Sequence, residues 1–155
     1  MSKALLVLRH GQAENFALSG LDCDRCLTDF GRSQVESAVA HMQAQGQQPE
    51  LILVSPYLRT QQTAAYAQAA FPEAVCATWD ALTPESDLQL LTAKLQNLTQ
   101  EKVLLVSHQP LVGALLSHLC GQSYGRYPMD TASLACLQSD LWVAGLAELN
   151  WLRHA

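Results

Sequence analysis

The sequence has little charge and few basic residues. Only 15% of its 155 residues are charged, and nine Lys and Arg against fourteen Asp and Glu give a net charge of −5. Nucleic-acid binding needs a basic surface patch, so this composition argues against it. If such an acidic protein binds a phosphate group, the pocket for it must be locally positive. Six of the nine basic residues are arginine, whose planar fork suits bidentate contacts to oxyanions.

Long apolar segments are also missing. No apolar run approaches the roughly 20 residues needed to cross a bilayer, and the first residues lead into a strand-like run without a signal-peptide core. The five cysteines are odd in number and scattered, which fits reduced thiols better than a disulfide framework. We therefore expect a cytoplasmic protein with no membrane partner. Its length predicts a single domain over residues 1–155.

Two of the cysteines form a CxxC motif, Cys23-Asp24-Arg25-Cys26. A zinc site would need a second ligand pair at suitable spacing, and the sequence contains none. A redox CxxC opens a helix after a strand, which is not the context here. We therefore expect no metal, no redox function and no cofactor.

Strand-like and helix-like segments alternate along the chain. Short apolar runs bounded by Gly, Pro or Ser predict buried strands, and apolar residues spaced three and four apart predict amphipathic helices. Such alternation predicts an α/β fold, a three-layer α/β/α sandwich with a mostly parallel central sheet. The predicted strands are 4–8, 51–54, 75–78, 103–106, 133–137 and 141–146, and the predicted helices are 29–45, 56–70, 88–98 and 110–121.

Basic side chains follow three of the predicted strands. Arg9-His10-Gly11 follows the first strand, Arg59 lies shortly after the second, and His108 follows the fourth. Because the carboxyl ends of parallel strands share one edge of a sheet, we expect these side chains to converge. Helix N-termini behind Pro56 and Pro110 would add positive potential. An imidazole can attack phosphorus and a guanidinium fits a phosphate, so the pattern predicts phosphoryl chemistry.

Four motifs carry a resemblance to a known family. In chain order they are Leu8-Arg9-His10-Gly11, Leu27-Thr28-x-x-Gly31-x-x-Gln34, Val54-Ser55-Pro56-x-x-Arg59-x-x-x-Thr63-Ala64 and Val106-Ser107-His108-x-Pro110. Together they resemble the histidine phosphatase superfamily, which has the phosphoglycerate mutase-like fold. The small size, Arg9-His10-Gly11-Gln12-Ala13 and Asp22-x-x-Arg25-x-Leu27-Thr28 look most like its SixA-type phosphohistidine phosphatases. That subgroup usually has proline where this chain has Cys26, which accounts for the CxxC.

The resemblance implies a metal-independent mechanism. His10 would be the nucleophile and would form a phosphohistidine intermediate that water hydrolyses. Arg9, Arg59 and His108 would hold the non-bridging oxygens and stabilise the transition state. Gly11 and Arg25 are further candidates for phosphate or substrate binding, although Arg25 is equally well interpreted as a solvated loop residue.

The motifs leave the general acid open. Larger relatives use a carboxylate after the third strand or beside the second histidine, and here Gln109 occupies the latter position. The candidates are Asp80, Glu85, Asp87 and Glu14, each of which could instead cap a helix or face solvent. A phosphohistidine leaves as imidazole, a better leaving group than an alkoxide, so that substrate needs acid catalysis less.

We therefore expect a phosphatase that acts on the phosphohistidine of a partner protein. The short segments between strands leave little sequence for a lid. An open site suits a side chain presented by another protein, but it equally suits a small phosphomonoester. Two alternatives stay open, a broad phosphomonoesterase of the same superfamily and a non-catalytic phosphate-binding module.

Overall fold

Short apolar strands and amphipathic helices alternate through residues 2–155, the part of the chain that the computed structural model describes. The strands are β1 (Lys3–Arg9), β2 (Leu51–Val54), β3 (Val75–Thr78), β4 (Lys102–Ser107), β5 (Leu134–Ser139) and β6 (Glu148–Arg153). The helices are α1 (Asp29–Ala44), α2 (Leu58–Ala70), α3 (Leu88–Gln96) and α4 (Leu111–Cys120), with short 3-10 turns at Asp22–Asp24 and Asp80–Leu82. No helix among these residues is both long and apolar enough to span a bilayer.

The strands form one sheet in the order β3-β2-β4-β1-β5-β6. Strands β1 to β4 pair in parallel, whereas β5 runs antiparallel to both β1 and β6. One apolar core lies between the sheet and α1 and α2, and a second lies between the opposite face and α3 and α4. The predicted three-layer sandwich with a mostly parallel sheet is therefore confirmed.

Strand β1 lies inside the sheet and is buried on both faces. Leu5 and Val7 belong to one core and Leu6 and Leu8 to the other, and all four are fully buried. Burial on both faces explains why this strand is a continuous apolar run. Its carboxyl end is level with that of its parallel neighbour β4, since Arg9 pairs with Ser107.

The helix boundaries follow local capping chemistry. The Thr28 hydroxyl accepts a 2.9 Å hydrogen bond from the Gly31 N–H and caps α1, and Gly46 beyond its end has φ +69°. Helix α2 begins two residues later than predicted. Its N-cap is Tyr57, whose backbone is extended and whose carbonyl accepts from Gln61 at 3.0 Å.

The predicted strand over 141–146 is wrong. This segment is a loop in which Trp142 packs into the core beside α4. The backbone N–H groups of Gly145 and Ala147 donate to two carbonyls at the end of α4, at 3.0 and 2.9 Å, so they are not available to a neighbouring strand. The final strand is β6 instead, and β5 continues through Ser139, where a turn was expected.

Candidate active site

The side chains that the sequence places after β1, β4 and β2 meet at one edge of the sheet. His10 directly follows β1, His108 directly follows β4, and Arg59 lies in the first turn of α2. The two imidazole centroids are 5.3 Å apart, and Nε of Arg59 is 3.3 Å from Nε2 of His10. The topology therefore brings the predicted cluster together in a largely buried site.

The hydrogen bonds of His10 define which of its nitrogens is free. Nδ1 lies 2.7 Å from the Gly11 carbonyl oxygen. A carbonyl can only accept, so Nδ1 carries the proton and the lone pair is on Nε2. Burial, together with the charges of Arg59, Arg9 and Arg25, lowers the pKa of His10 to about 4. At neutral pH the ring is therefore an uncharged nucleophile, with Nε2 beside a guanidinium.

The backbone of His10 is fixed from both sides. Its N–H donates to the Ser107 carbonyl at 3.1 Å, and its carbonyl accepts from the Ala132 N–H at 2.9 Å. The next N–H, of Gly11, donates to Oγ1 of Thr63 at 3.2 Å. The nucleophile is thus held by the end of β4, the segment before β5, and α2.

Two glycines let the loop after His10 press against α1. A Cβ on Gly11 would lie 2.5 Å from the Gly31 carbonyl oxygen, and a Cβ on Gly31 would lie 2.0 Å from the Gln12 carbonyl oxygen. The Gln12 N–H donates to the side chain of Gln34 at 2.9 Å. The motif around Thr28 therefore supports the nucleophile loop rather than the chemistry itself.

Arg59 is buried and is oriented by Asp22. Nη1 donates to the Asp22 carbonyl at 2.9 Å and Nη2 to its carboxylate at 3.1 Å. Although desolvation tends to raise it, hydrogen bonds from Arg59 and Arg25 leave the pKa of Asp22 below its usual range. The sequence prediction did not include Asp22. The spacing Asp22-x-x-Arg25 was the available signal, because it places an acid within one turn of a candidate ligand.

Arg25 lies beside Asp22, and two nitrogens of its guanidinium group are bonded to protein. Nε donates to the Asp22 carboxylate at 2.8 Å and Nη1 to the Glu14 carbonyl at 3.0 Å. It acts on the site through its charge, which contributes to the lowered pKa of His10.

Arg9 and His108 each bring an unsatisfied nitrogen to the site. Nη1 of Arg9 donates to the Met129 carbonyl at 2.9 Å, and Nε2 of His108 is 2.7 Å from the Ser55 hydroxyl. Nε of Arg9 and Nδ1 of His108 are buried without a partner among residues 2–155. Buried polar atoms are normally hydrogen-bonded, so these two indicate where an oxyanion would bind.

The environment of His108 disfavours a proton on its ring. Burial, followed by the proximity of His10 and Arg59, lowers its pKa to about 2. The His108 ring is therefore neutral at neutral pH when no ligand is bound. Positive charge at the site comes from Arg9 and Arg59. Among residues 2–155, no three His, Cys, Asp or Glu side chains are grouped to bind a metal ion.

The four candidate acids occupy different positions. Asp87 caps α3, accepting from the Gln89 N–H at 2.9 Å, and Asp80 and Glu14 are exposed. Glu85 is also exposed, but its charge reaches the site. Burial and, to a smaller extent, the charge of Glu85 raise the pKa of Tyr57. The Tyr57 ring packs edge-on against His108, with the ring centroids 5.0 Å apart.

The fold and the buried cluster of two histidines and two arginines are those of a domain suited to phosphoryl transfer. The family model of the histidine phosphatase superfamily (branch 1) matches residues 5–84. The chain belongs to this superfamily, as its motifs predicted.

Curated relatives cover almost the whole chain. The phosphohistidine phosphatase SixA of Escherichia coli (strain K12) is 34% identical, over 95% of this chain and 91% of its own. The SixA homolog of Haemophilus influenzae is 32% identical, over 94% and 92% of the two chains. A structure of the protein histidine phosphatase SixA complexed with tungstate superposes with a TM-score of 0.87 at 32% identity, over 97% and 96%.

Proposed function

We propose that this protein is a phosphatase that hydrolyses phosphohistidine on another protein, with His10 as the nucleophile. The observation that carries the proposal is the His10 ring, which is neutral, donates from Nδ1 to the Gly11 carbonyl and has an unprotonated Nε2 that accepts from Nε of Arg59. The SixA relatives, similar over more than nine-tenths of the chain, support phosphohistidine as the substrate.

The first step transfers the phosphoryl group to His10. The Nε2 lone pair attacks phosphorus, and the bond from phosphorus to the substrate imidazole nitrogen breaks. The leaving imidazole takes one proton. Arg9 and Arg59 neutralise the charge on the non-bridging oxygens, and Nδ1 of His108 donates to one of them while the Ser55 hydroxyl donates to Nε2. Gly11 contributes indirectly, because it lets the loop that carries His10 pack against α1.

The second step returns His10 to its starting state. A water molecule attacks the phosphorus of phospho-His10, the bond to Nε2 breaks, and inorganic phosphate leaves as the water gives up a proton. The proton that the leaving imidazole takes and the proton that the water gives up are exchanged with solvent, because the candidate acids Glu85, Asp80 and Glu14 are exposed and Asp87 caps α3.

Trapping the intermediate tests the mechanism. Wild-type protein incubated with a labelled phosphohistidine protein should acquire an acid-labile, alkali-stable label, and His10→Asn should acquire none and lose turnover. The matched control is His41→Asn, because His41 packs against Trp151 at the far end of α1. Full phosphatase activity in His10→Asn would contradict the mechanism, and a wild type that binds phosphate without turnover would favour the non-catalytic phosphate-binding module.

A broad phosphomonoesterase is the second candidate, because the phosphoryl ligands above would hold a phosphate ester equally well. Comparing kcat/KM for a phosphohistidine protein and for p-nitrophenyl phosphate separates the two. Faster turnover of the ester would contradict the phosphohistidine preference. We further propose a cytoplasmic location, since all five cysteines are free thiols and such thiols persist in reducing compartments.

A further inference from the structure

The loop between β1 and α1 exposes several large apolar side chains beside the site. Phe16 is 86% exposed, Leu18 is fully exposed, and Leu21 is 57% exposed. Leu58, at the start of α2, is 37% exposed. We call these four residues the apolar rim.

The apolar rim lies next to residues that contact the catalytic cluster. Phe16, Leu18 and Leu58 line one depression on the surface, and Phe16 and Leu21 line an adjoining one together with Asp22 and Arg25. Asp22 is the residue that binds Arg59 through its carbonyl and its carboxylate. The apolar rim therefore borders Asp22, the residue that contacts the Arg59 guanidinium.

The loop does not need these side chains for its own structure. Its ends are joined by the Ala13–Leu27 bridge, and its interior by polar contacts, including 2.7 Å from the Ser19 hydroxyl to Asp24 and 3.1 Å from the Leu21 N–H to Ser19. A contiguous exposed apolar patch that the fold does not use is typical of an interaction site.

We propose that the apolar rim docks the protein whose phosphohistidine is hydrolysed, through exposed apolar side chains that surround the phosphohistidine on that partner. This inference rests on the proposed function. His10 is only 6% exposed, so a phosphohistidine that reaches it brings the surrounding surface of its own protein over the wall that contains Asp22 and Arg25. A small phosphorylated compound reaches His10 without covering the rim.

The double variant Phe16→Ser/Leu18→Ser tests the docking. With a phosphohistidine protein as substrate, KM should rise about tenfold or more, as expected when central apolar anchors of an interface are truncated. With phosphoimidazole as substrate, kcat/KM should stay at the wild-type value. The matched control is Leu141→Ser/Leu146→Ser. These leucines are 58% and 50% exposed. They follow β5, whose last residue Ser139 pairs with Lys3 at the start of β1, so they lie at the edge of the sheet opposite to the site.

Each other outcome overturns the docking proposal. An unchanged KM for the protein substrate would show that the rim does not bind it, and equal losses on both substrates would show damage to the site. A wild-type dimer that the double variant dissociates in analytical ultracentrifugation, with KM unchanged, would assign the rim to a second copy. Binding of the wild type but not the variant to phosphatidylglycerol vesicles, again with KM unchanged, would assign it to a membrane. If the wild type hydrolyses neither the phosphohistidine protein nor phosphoimidazole, the proposed function itself fails and the docking proposal fails with it.

Discussion

Burial of the His10 imidazole should make this protein less stable in mild acid. Imidazole in an unfolded chain titrates near pH 6.5, whereas burial lowers the pKa of His10 in the folded protein to about 4. Between these values the unfolded chain binds a proton that the folded chain does not. Stability is therefore complete above about pH 6.5 and is lost as the pH falls towards about 4.

The size of this loss follows from the two pKa values. Between pH 7 and pH 5, His10 alone should remove about 2 kcal/mol from the free energy of unfolding, and the loss should reach about 3 kcal/mol near pH 4. His108 adds a loss in the same direction. Because His10 contributes to the lowered pKa of His108, removing the His10 ring also reduces the acid sensitivity of His108.

The His10→Asn variant isolates this effect. The asparagine amide can occupy the place of Nδ1 and donate to the Gly11 carbonyl, but it cannot titrate. In urea unfolding followed by tryptophan fluorescence, the variant should gain about 2 kcal/mol relative to the wild type between pH 7 and pH 5. The difference between the two proteins should stay constant between pH 7 and pH 8, which serves as the control. Parallel pH dependences from pH 8 to pH 5 would refute the argument.

Two further substitutions test the support of the site. Asp22→Ala should lower kcat/KM by about tenfold to a hundredfold, because Arg59 loses its carboxylate partner at 3.1 Å. Asp22→Asn, which keeps an acceptor, should lose less, and the control Asp140→Ala, at an exposed position after β5, should stay near wild type; equal activities would show that Asp22 does not position Arg59. Gly31→Ala should reduce the free energy of unfolding by about 2 kcal/mol or more, because its Cβ would lie 2.0 Å from the Gln12 carbonyl oxygen. A loss no larger than that of Glu36→Ala, at an exposed position on α1, would show that the contact relaxes without cost.

The fold was predictable where a local sequence pattern is compatible with only one type of secondary structure. The run Ala4–Leu8 is apolar at every position because β1 is covered on both faces, and Thr28 and Gly46 mark the ends of α1 through capping chemistry. Residues 141–146 are equally apolar, yet they form a loop. The N–H groups of Gly145 and of the following Ala147 bond to the end of α4, and composition does not show which acceptors a segment will meet.

The site was predictable to the extent that sheet topology determines it. His10, His108 and Arg59 follow parallel strands, so their convergence is a consequence of strand order. Asp22 contacts Arg59 across 37 positions of sequence, and that contact depends on the path of an irregular loop. The proton donor could not be predicted for a similar reason. Asp80, Glu85 and Asp87 lie close together in the sequence, and position in the sequence alone does not show which of them faces the site.

The bridge between Ala13 and Leu27 closes off the loop over 14–26 from β1 and α1. Its two ends lie side by side, with a 2.8 Å hydrogen bond from the Glu14 N–H to the Cys26 carbonyl, so its contents can vary in length and sequence without moving β1 or α1. Within it, Asp22 contacts Arg59 directly, and the charge of Arg25 contributes to the lowered pKa of His10. Substitutions elsewhere in this loop can therefore change the exposed surface beside the site, provided that Asp22 and Arg25 are kept. The same boundaries define a graft for engineering new specificities.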